Sequence, residues 1–146
     1  MGYNRTRKET NEYNTYLKSK KNSGNRDCDF CKIHGKSPQL IRQTTYFKII
    51  RNIFPYSIWD GRKVTDHLLL IPNEHTESLS TLTPEAMQQY TLLIAEYELI
   101  GYNIYARTPD STMKSVAHQH THLIMATGNR VRFLMQLEKP NIRIML

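Results

Sequence analysis

The stretch His118-Gln119-His120-Thr121-His122-Leu123-Ile124 places half of the chain's six histidines at alternate positions. Side chains alternate between the two faces of a β-strand, so a strand here would line one face with all three imidazoles. A helix would spread them around its axis and form no shared site. Three imidazoles on one face indicate metal binding, phosphate chemistry or both, and a solvated strand face is the alternative.

A second group of candidate metal ligands lies upstream, where Cys28-Asp29-Phe30-Cys31 forms a C-x-x-C motif. This spacing allows two thiolates to bind one tetrahedral ion, and by itself it supplies half of a zinc site. A redox pair and two inert thiols are the competing interpretations. The redox interpretation is disfavoured because the motif follows a polar segment and does not open a helix after a strand.

Several segments have the composition of β-strands. Residues 46–52 and 101–106 are rich in aromatic and β-branched side chains, and the apolar run 66–72 predicts a strand that is buried on both faces. Asp60-Gly61 and Gly128-Asn129 are turn signals. The polar residues between the histidines, Gln119 and Thr121, suggest that their face is incompletely buried.

One helix has clear boundary signals. Thr83 is a typical N-cap, Pro84 suits the first helical position, and Gly101 marks the end of a helix that runs to about Leu99. Apolar residues at helical spacing predict the face that packs on the core. These residues are Met87, Tyr90, Ile94 and Tyr97.

Taken together, the order and spacing of these motifs resemble the histidine triad (HIT) superfamily of nucleotide hydrolases and transferases. The triad signature corresponds to residues 118–124, the preceding Ser115-Val116 matches its usual lead-in, and residues 67–75 match the strand and the Pro-x-x-His that accompany it. The resemblance covers roughly residues 28–125. It implies an α+β HIT-like fold, with an antiparallel sheet of about five strands and one main α-helix packed on it.

The resemblance also implies an activity and the residues that carry it. The substrate would be a dinucleoside polyphosphate, a nucleoside phosphoramidate or a nucleotide sugar, attacked at the α-phosphate through a covalent nucleotidyl-histidine intermediate. His120 would be the nucleophile and His122 would hydrogen-bond the phosphate. Ser115 would donate to the phosphate or the leaving group, and His67 would face the site from an adjacent strand. Family members often pair as homodimers.

Zinc-containing members of the family hold the ion with two cysteines, the histidine of Pro-x-x-His and the first triad histidine. The matching positions here are Cys28, Cys31, His75 and His118. Four protein ligands leave no open coordination position, so the resemblance implies a structural zinc.

The chain departs from the family pattern beside the triad. Met113-Lys114 stands where Gly-Gln is usual, and Arg107 stands where an asparagine usually supports the site. Lys114 and Arg107 are candidate substrate-binding residues, since their charge suits a more anionic substrate. They equally fit the alternative of a non-catalytic nucleotide- or RNA-binding zinc module.

Composition sets the remaining limits. A chain of 146 residues suits one domain, and the formal net charge is +7. Residues 1–27 are rich in Lys and Arg and poor in apolar residues, so we expect a basic flexible arm before a single domain over 28–146. Such an arm suggests weak nucleic-acid contact, or only a solubilising tail. With no membrane-length apolar run and no apolar leader, the sequence predicts a cytoplasmic protein without membrane contact.

Overall fold

The main feature of the fold is an antiparallel sheet with strand order β1-β2-β4-β6-β5, in which β3 also pairs with β4. The computed structural model describes residues 4–22, 28–130, 134–137 and 142–145. The strands of the sheet are β1 Leu40–Gln43, β2 Phe47–Arg51, β3 Ile58–Trp59, β4 Arg62–Pro72, β5 Asn103–Ala106 and β6 Thr121–Arg130. Outside it, β7 Leu134–Leu137 pairs with β8 Ile142–Met145. The helices are α1 Arg7–Asn22 and α2 Pro84–Leu99, with a 3-10 turn at Leu79–Thr81. The expected α+β architecture with an antiparallel sheet is confirmed.

The central pair of strands, β4 and β6, separates two packed layers. Alternation along β4 sends Leu68 and Leu70 into the cluster beneath α2, while Leu69 and Ile71 pack with Ile33 on the opposite face. Residues 67–72 are all buried, so the predicted strand with two buried faces is confirmed. The same alternation sets His67 on the face that lies away from α2.

Helix α2 begins as its sequence predicts. The Thr83 side chain accepts a hydrogen bond from the Ala86 amide, Pro84 follows, and Gly101 adopts a left-handed φ of 96° just beyond the end. Tyr90 and Tyr97 face the core as expected. Met87 does not, since 39% of it is exposed, and the neighbouring Ala86 takes the buried position.

The histidine segment differs from the single strand that its alternation predicted. Strand β6 begins only at Thr121, and His118 to His120 lie in irregular backbone ahead of it. The reason is a competing hydrogen bond: the Gln119 amide donates to the Thr76 carbonyl, 2.6 Å away, and so is not free to donate to a neighbouring strand. The three histidines therefore do not share one strand face.

The polar residues between the histidines are buried, contrary to the expectation of an open face. Gln119 accepts a hydrogen bond from Lys114 Nζ at 2.9 Å, and the Thr121 and Tyr90 hydroxyls lie 2.9 Å apart. Thr121 thus ties the histidine segment to α2. Each of the two side chains thus has a polar partner, and such partners lower the cost of burial.

The two turn signals have different outcomes. Asp60 and Gly61 both have positive φ values, 48° and 68°, and connect β3 to β4 as the two central residues of a tight hairpin. Gly128-Asn129 does not form a turn. Strand β6 continues to Arg130, which lies opposite Arg62 of β4.

Helix α1 replaces the disorder expected for the N-terminal arm. Thr6 and Glu9 form a reciprocal capping box, in which the Thr6 amide donates to Glu9 Oε2 at 2.7 Å and the Glu9 amide donates to Thr6 Oγ1 at 3.3 Å. The rings of Tyr13 and Tyr16 pack on Phe54, with centroids 5.1 and 4.9 Å apart. The polar composition of this segment gives no indication of the packing on Phe54. In the described part of the chain, no helix has the length and apolarity to cross a membrane.

The buried hydroxyl pair between α2 and the histidine segment leads to a stability prediction. We expect Thr121→Val to lower the free energy of unfolding by about 1–3 kcal/mol, because the Tyr90 hydroxyl loses its buried partner. The double variant Tyr90→Phe Thr121→Val should recover most of the loss. Urea unfolding of the wild type, the two single variants and the double variant measures both effects, and additive losses in the double variant would contradict the pairing.

Candidate active site and metal centre

His67 receives a hydrogen bond that fixes its tautomer. The backbone amide of Tyr56 donates to His67 Nδ1 at 2.9 Å, so Nδ1 carries no proton and Nε2 carries it. The side-chain nitrogen of Asn52, Nδ2, lies 3.2 Å from His67 Nε2 and 3.4 Å from His67 Nδ1. Because the two distances are nearly equal, this nitrogen lies over the face of the ring. It therefore does not compete for the in-plane hydrogen bond of either ring nitrogen.

The tautomer of His67 determines that of His122. Their nitrogens Nε2 and Nδ1 lie 2.9 Å apart, and since His67 Nε2 carries the proton, His122 Nδ1 accepts it. The remaining proton of His122 is then on Nε2. This Nε2 is buried and has no hydrogen-bond partner in the described part of the chain. His122 therefore presents an unused N–H donor.

His120 has the opposite tautomer. Its Nδ1 lies 2.9 Å from the backbone carbonyl of His118, and a carbonyl only accepts, so Nδ1 carries the proton. The lone pair is left on Nε2. The rings of His120 and His122 are 5.0 Å apart, and both residues line the same cavity. A bare nitrogen and an N–H donor therefore stand side by side.

Burial keeps these rings neutral. It lowers the pKa of His67 to about 3, with a further contribution from the Arg5 charge. Burial is also the largest cause of the lowered pKa values of His120 and His122, and the Arg107 guanidinium adds to both. A neutral His120 retains the lone pair that a nucleophile requires.

The four expected metal ligands come together. Ligand atoms of Cys28, Cys31, His75 and His118 all lie within 4.8 Å of one another. His118 Nδ1 is 3.3 Å from Cys28 Sγ and 3.5 Å from Cys31 Sγ, and His75 Nδ1 is 3.4 Å from Cys31 Sγ. The edge of a tetrahedron with ordinary zinc bond lengths joins nitrogen to sulfur over about 3.5 Å. The donor set and its spacing fit such an ion.

The orientation of His118 also suits metal binding. Its Nε2 lies 3.1 Å from the Pro72 carbonyl and must donate to it, which leaves Nδ1 unprotonated toward the two sulfur atoms. His34, which follows the C-x-x-C motif closely, is exposed and does not belong to the cluster.

The segment between the two cysteines links the metal cluster to the histidine pair, His120 and His122. The Phe30 ring contacts His118 and His120 edge-on, with centroids 5.9 and 5.2 Å apart. Beneath it the buried Lys48 donates from Nζ to the carbonyls of Phe30 and Ile33, at 2.8 and 3.2 Å. The position of His120 thus depends on the folded conformation of the C-x-x-C segment.

The other predicted site residues surround the same cavity, which has a volume of about 490 Å³ and is lined by Arg107, Lys114 and Ser115. Arg107 Nη2 donates to the Tyr56 hydroxyl at 3.3 Å. Lys114 Nζ is held by the Glu77 carbonyl and the Gln119 side chain, both at 2.9 Å. Ser115 is exposed and its hydroxyl bonds to that of Tyr13.

Sequence reasoning missed the residues that orient this site. The Tyr56 amide acts on His67, and Asn52 holds the segment that carries this amide by accepting from the Phe54 amide; no local pattern identifies either. Arg5 and Tyr13 reach the cavity from the segment expected to be disordered. The only signal that could have revealed that segment is the Thr6-x-x-Glu9 capping box.

Comparison with known proteins places the chain in a family. The family model described as the HIT domain matches residues 36–129. "Protein hit" of Bacillus subtilis (strain 168) is 30% identical over 112 residues, covering 70% of this chain and 72% of that protein.

Solved structures have the same fold. A zinc-bound histidine triad family protein from Mycobacterium smegmatis is 26% identical, with a TM-score of 0.52 over 70% of this chain and 76% of its own. A HIT family protein from Bacillus subtilis is 25% identical, with a TM-score of 0.52 over 69% and 73%. A HIT family hydrolase from Legionella pneumophila Philadelphia 1 is 23% identical, with a TM-score of 0.50 over 71% and 95%, and this likeness extends to the fold alone.

The lowered pKa of His67 predicts how stability depends on pH. The unfolded chain binds a proton at this ring below about pH 6.5, whereas the folded chain does so only near pH 3, so acid favours unfolding throughout this window. Between pH 7 and pH 5 the free energy of unfolding should fall with a slope that approaches about 1.4 kcal/mol per pH unit for this group. A His67→Gln variant should show a shallower slope in urea unfolding, and an unchanged slope would contradict the buried neutral ring.

Proposed function

The chain belongs to the HIT family, and from this premise we propose that it is a nucleotide hydrolase or nucleotidyl transferase that acts at the α-phosphate. The observation that carries the proposal is the pair of opposite tautomers, in which His120 offers a lone pair on Nε2 and His122 offers an N–H beside it. Nucleophilic attack at phosphorus needs both groups at one place.

In the first step, His120 Nε2 attacks the α-phosphorus. A nitrogen–phosphorus bond forms as the bond to the leaving group breaks, and the leaving group departs with the electron pair. The Nδ1 proton stays hydrogen-bonded to the His118 carbonyl, which stabilises the positive charge that develops on the ring. The product is a nucleotidyl-histidine.

His122 stabilises the transition state as a hydrogen-bond donor and does not give up its proton. Its Nδ1 already accepts from His67, and His67 Nδ1 accepts from a backbone amide. Neither nitrogen can therefore take up a further proton to replace one that His122 gives away. The donor therefore suits leaving groups that depart as anions, such as the phosphates of dinucleoside polyphosphates and nucleotide sugars. Nucleoside phosphoramidates would need a proton from elsewhere.

In the second step, water or another acceptor attacks the phosphorus. The nitrogen–phosphorus bond breaks, its electron pair returns to His120 Nε2, and the proton of water passes to solvent. Ser115, Lys114 and Arg107 line the cavity with donors for the phosphate oxygens. Release of the nucleoside monophosphate restores the site.

We further infer that the ion held by Cys28, Cys31, His75 and His118 is zinc and that it is structural. Two thiolates and two imidazoles are ligands that zinc prefers, and four of them close the coordination sphere. Its effect on catalysis would be indirect, through the Phe30 ring that packs on His120. Homodimerisation, implied by family membership, stays a prediction.

Replacement of the nucleophile tests the chemistry. We expect His120→Ala to lose turnover by at least about 10³-fold, because the covalent route is closed. Rapid quench without acid, followed by mass spectrometry, should find a nucleotidyl group on the wild-type protein and none on the variant. The substrates should include diadenosine tetraphosphate, a nucleoside phosphoramidate and a nucleotide sugar.

The control for this experiment is nucleotide binding. His120→Ala should still bind nucleoside monophosphate, so loss of turnover is distinguished from loss of folding. If the wild-type protein turns over no substrate and both proteins bind nucleotide equally well, the chain is a non-catalytic binding module.

Metal analysis tests the zinc proposal separately. We expect one zinc ion per chain, and we expect His75→Ala to lose the ion together with several degrees of thermal stability, since metal binding is coupled to folding. His34→Ala is a matched control, because His34 is a nearby exposed histidine outside the cluster. Equal zinc content in the two variants would disprove the ligand assignment.

A further inference from the structure

Residues 4–22 form one wall of the cavity that contains the histidine pair, although they lie outside the matched HIT domain. The segment is anchored beside the site, since the Asn4 carbonyl accepts hydrogen bonds from the amides of Ser57 and Ile58, at 2.8 and 3.2 Å. Tyr13, which lies within α1, packs its ring on Phe54. The wall is therefore held at both its start and its middle.

Arg5 brings a positive charge into this wall. Its guanidinium lies over the rings of Tyr13 and Tyr56, 4.6 and 4.8 Å from their centroids, and Nη2 donates to the Phe54 carbonyl at 2.6 Å. Nε is buried and lacks a hydrogen-bond partner among the described residues. A buried donor without an acceptor costs free energy, so the guanidinium is held beside the cavity that it lines although one of its donors is unsatisfied.

The charges around Arg5 favour an anion. Arg107 contacts the same tyrosine, Tyr56, and the two guanidinium groups repel each other. The Glu9 carboxylate, which attracts the Arg5 charge, accepts hydrogen bonds from Thr6 and Ser57. The described cavity lining contains five cations and one carboxylate. The cations are Arg5, Lys20, Arg51, Arg107 and Lys114, and the carboxylate is Asp29, which binds Tyr16 and Lys20.

Tyr13 reaches the catalytic side of the cavity. Its hydroxyl donates to Ser115 Oγ, which therefore acts as acceptor in this contact. The single proton of the Ser115 hydroxyl is left free to donate elsewhere. Both residues line the cavity, so the Ser115 hydroxyl can donate its proton to a substrate bound there.

We propose that residues 4–22 complete the substrate site, with Arg5 and Arg107 together binding a phosphate of the substrate and Tyr13 positioning the Ser115 hydroxyl. The inference rests on the proposed nucleotide chemistry and adds residues that the matched domain lacks. A substrate with a polyphosphate chain suits the two guanidinium groups, because each can bind a phosphate oxygen through a charge-assisted hydrogen bond.

The first test compares two arginines that lie two residues apart. Arg5→Ala should lower kcat/KM for diadenosine tetraphosphate by about 10- to 100-fold, the range expected for a lost charge-assisted hydrogen bond. Arg7→Ala removes the same charge from an exposed residue outside the cavity lining and should change it less than about twofold. Equal effects of the two variants, or faster turnover in Arg5→Ala, would overturn the proposal.

A binding measurement separates this proposal from the proposed reaction. In a His120→Ala background, ATP binding measured by calorimetry should weaken about 10-fold or more with Arg5→Ala and remain unchanged with Arg7→Ala. This outcome supports Arg5 as a phosphate ligand even if the wild-type protein has no turnover. Unchanged ATP affinity in both variants would reject Arg5 as a phosphate ligand. The proposed reaction would still stand if the wild-type protein turns over substrate.

A double-mutant cycle tests the role of Tyr13. Tyr13→Phe keeps the ring on Phe54 and removes the hydroxyl, so we expect kcat to fall several-fold at constant KM. In a Ser115→Ala background, the same substitution should have no further effect, because the two residues act through one contact. Independent, multiplying effects would show that Tyr13 does not act through Ser115.

Discussion

The site depends on one backbone hydrogen bond, from the Tyr56 amide to His67 Nδ1. A backbone amide cannot act as an acceptor, so this contact leaves one tautomer for His67 and, through it, one for His122. Reversal of the first contact would turn His122 Nε2 from a donor into an acceptor and would remove the unused N–H. The amide is positioned by the short segment ahead of β3, where Phe54 donates to the Asn52 side chain at 2.9 Å. A turn without any catalytic side chain therefore determines the protonation of the site.

His120 and His122 have opposite tautomers because strand β6 begins between them, at Thr121. Had β6 continued through His118, the His118 carbonyl would have joined the sheet ladder and would not have been available to the His120 ring. Because the strand begins at Thr121, that carbonyl accepts from Nδ1 and leaves Nε2 bare. His122 lies inside the strand, beside His67 of β4. Two residues of separation thus place the histidines in different backbone environments and give them opposite tautomers.

The sequence predicts the parts of this architecture that have local or repeated signals. The buried strand at residues 66–72, the Thr83 cap and the Asp60-Gly61 turn each follow from short-range chemistry. The four clustered metal ligands were identified by resemblance, since their spacing matches a family pattern. The break before Thr121 could not be predicted, because it depends on the Thr76 carbonyl, distant in sequence. The helix α1 was hidden by its polar composition, since its packing depends on Phe54 and on the fold that presents it.

The wall formed by residues 4–22 is connected to the C-x-x-C segment, from which Asp29 and Phe30 also line the cavity. Asp29 lies between the two cysteines, and it accepts hydrogen bonds from Tyr16 and Lys20 of α1. On one side of this link, Phe30 packs on His120, and on the other, Arg5 and Tyr13 approach Tyr56 and Ser115. The contacts that set the tautomers come from β4, the segment ahead of β3 and the residues around the start of β6, whereas Arg5 adds its charge to the cavity from just ahead of α1. A change at Arg5 therefore leaves in place the hydrogen bonds that set the tautomers of His120 and His122, because Arg5 takes part in none of them.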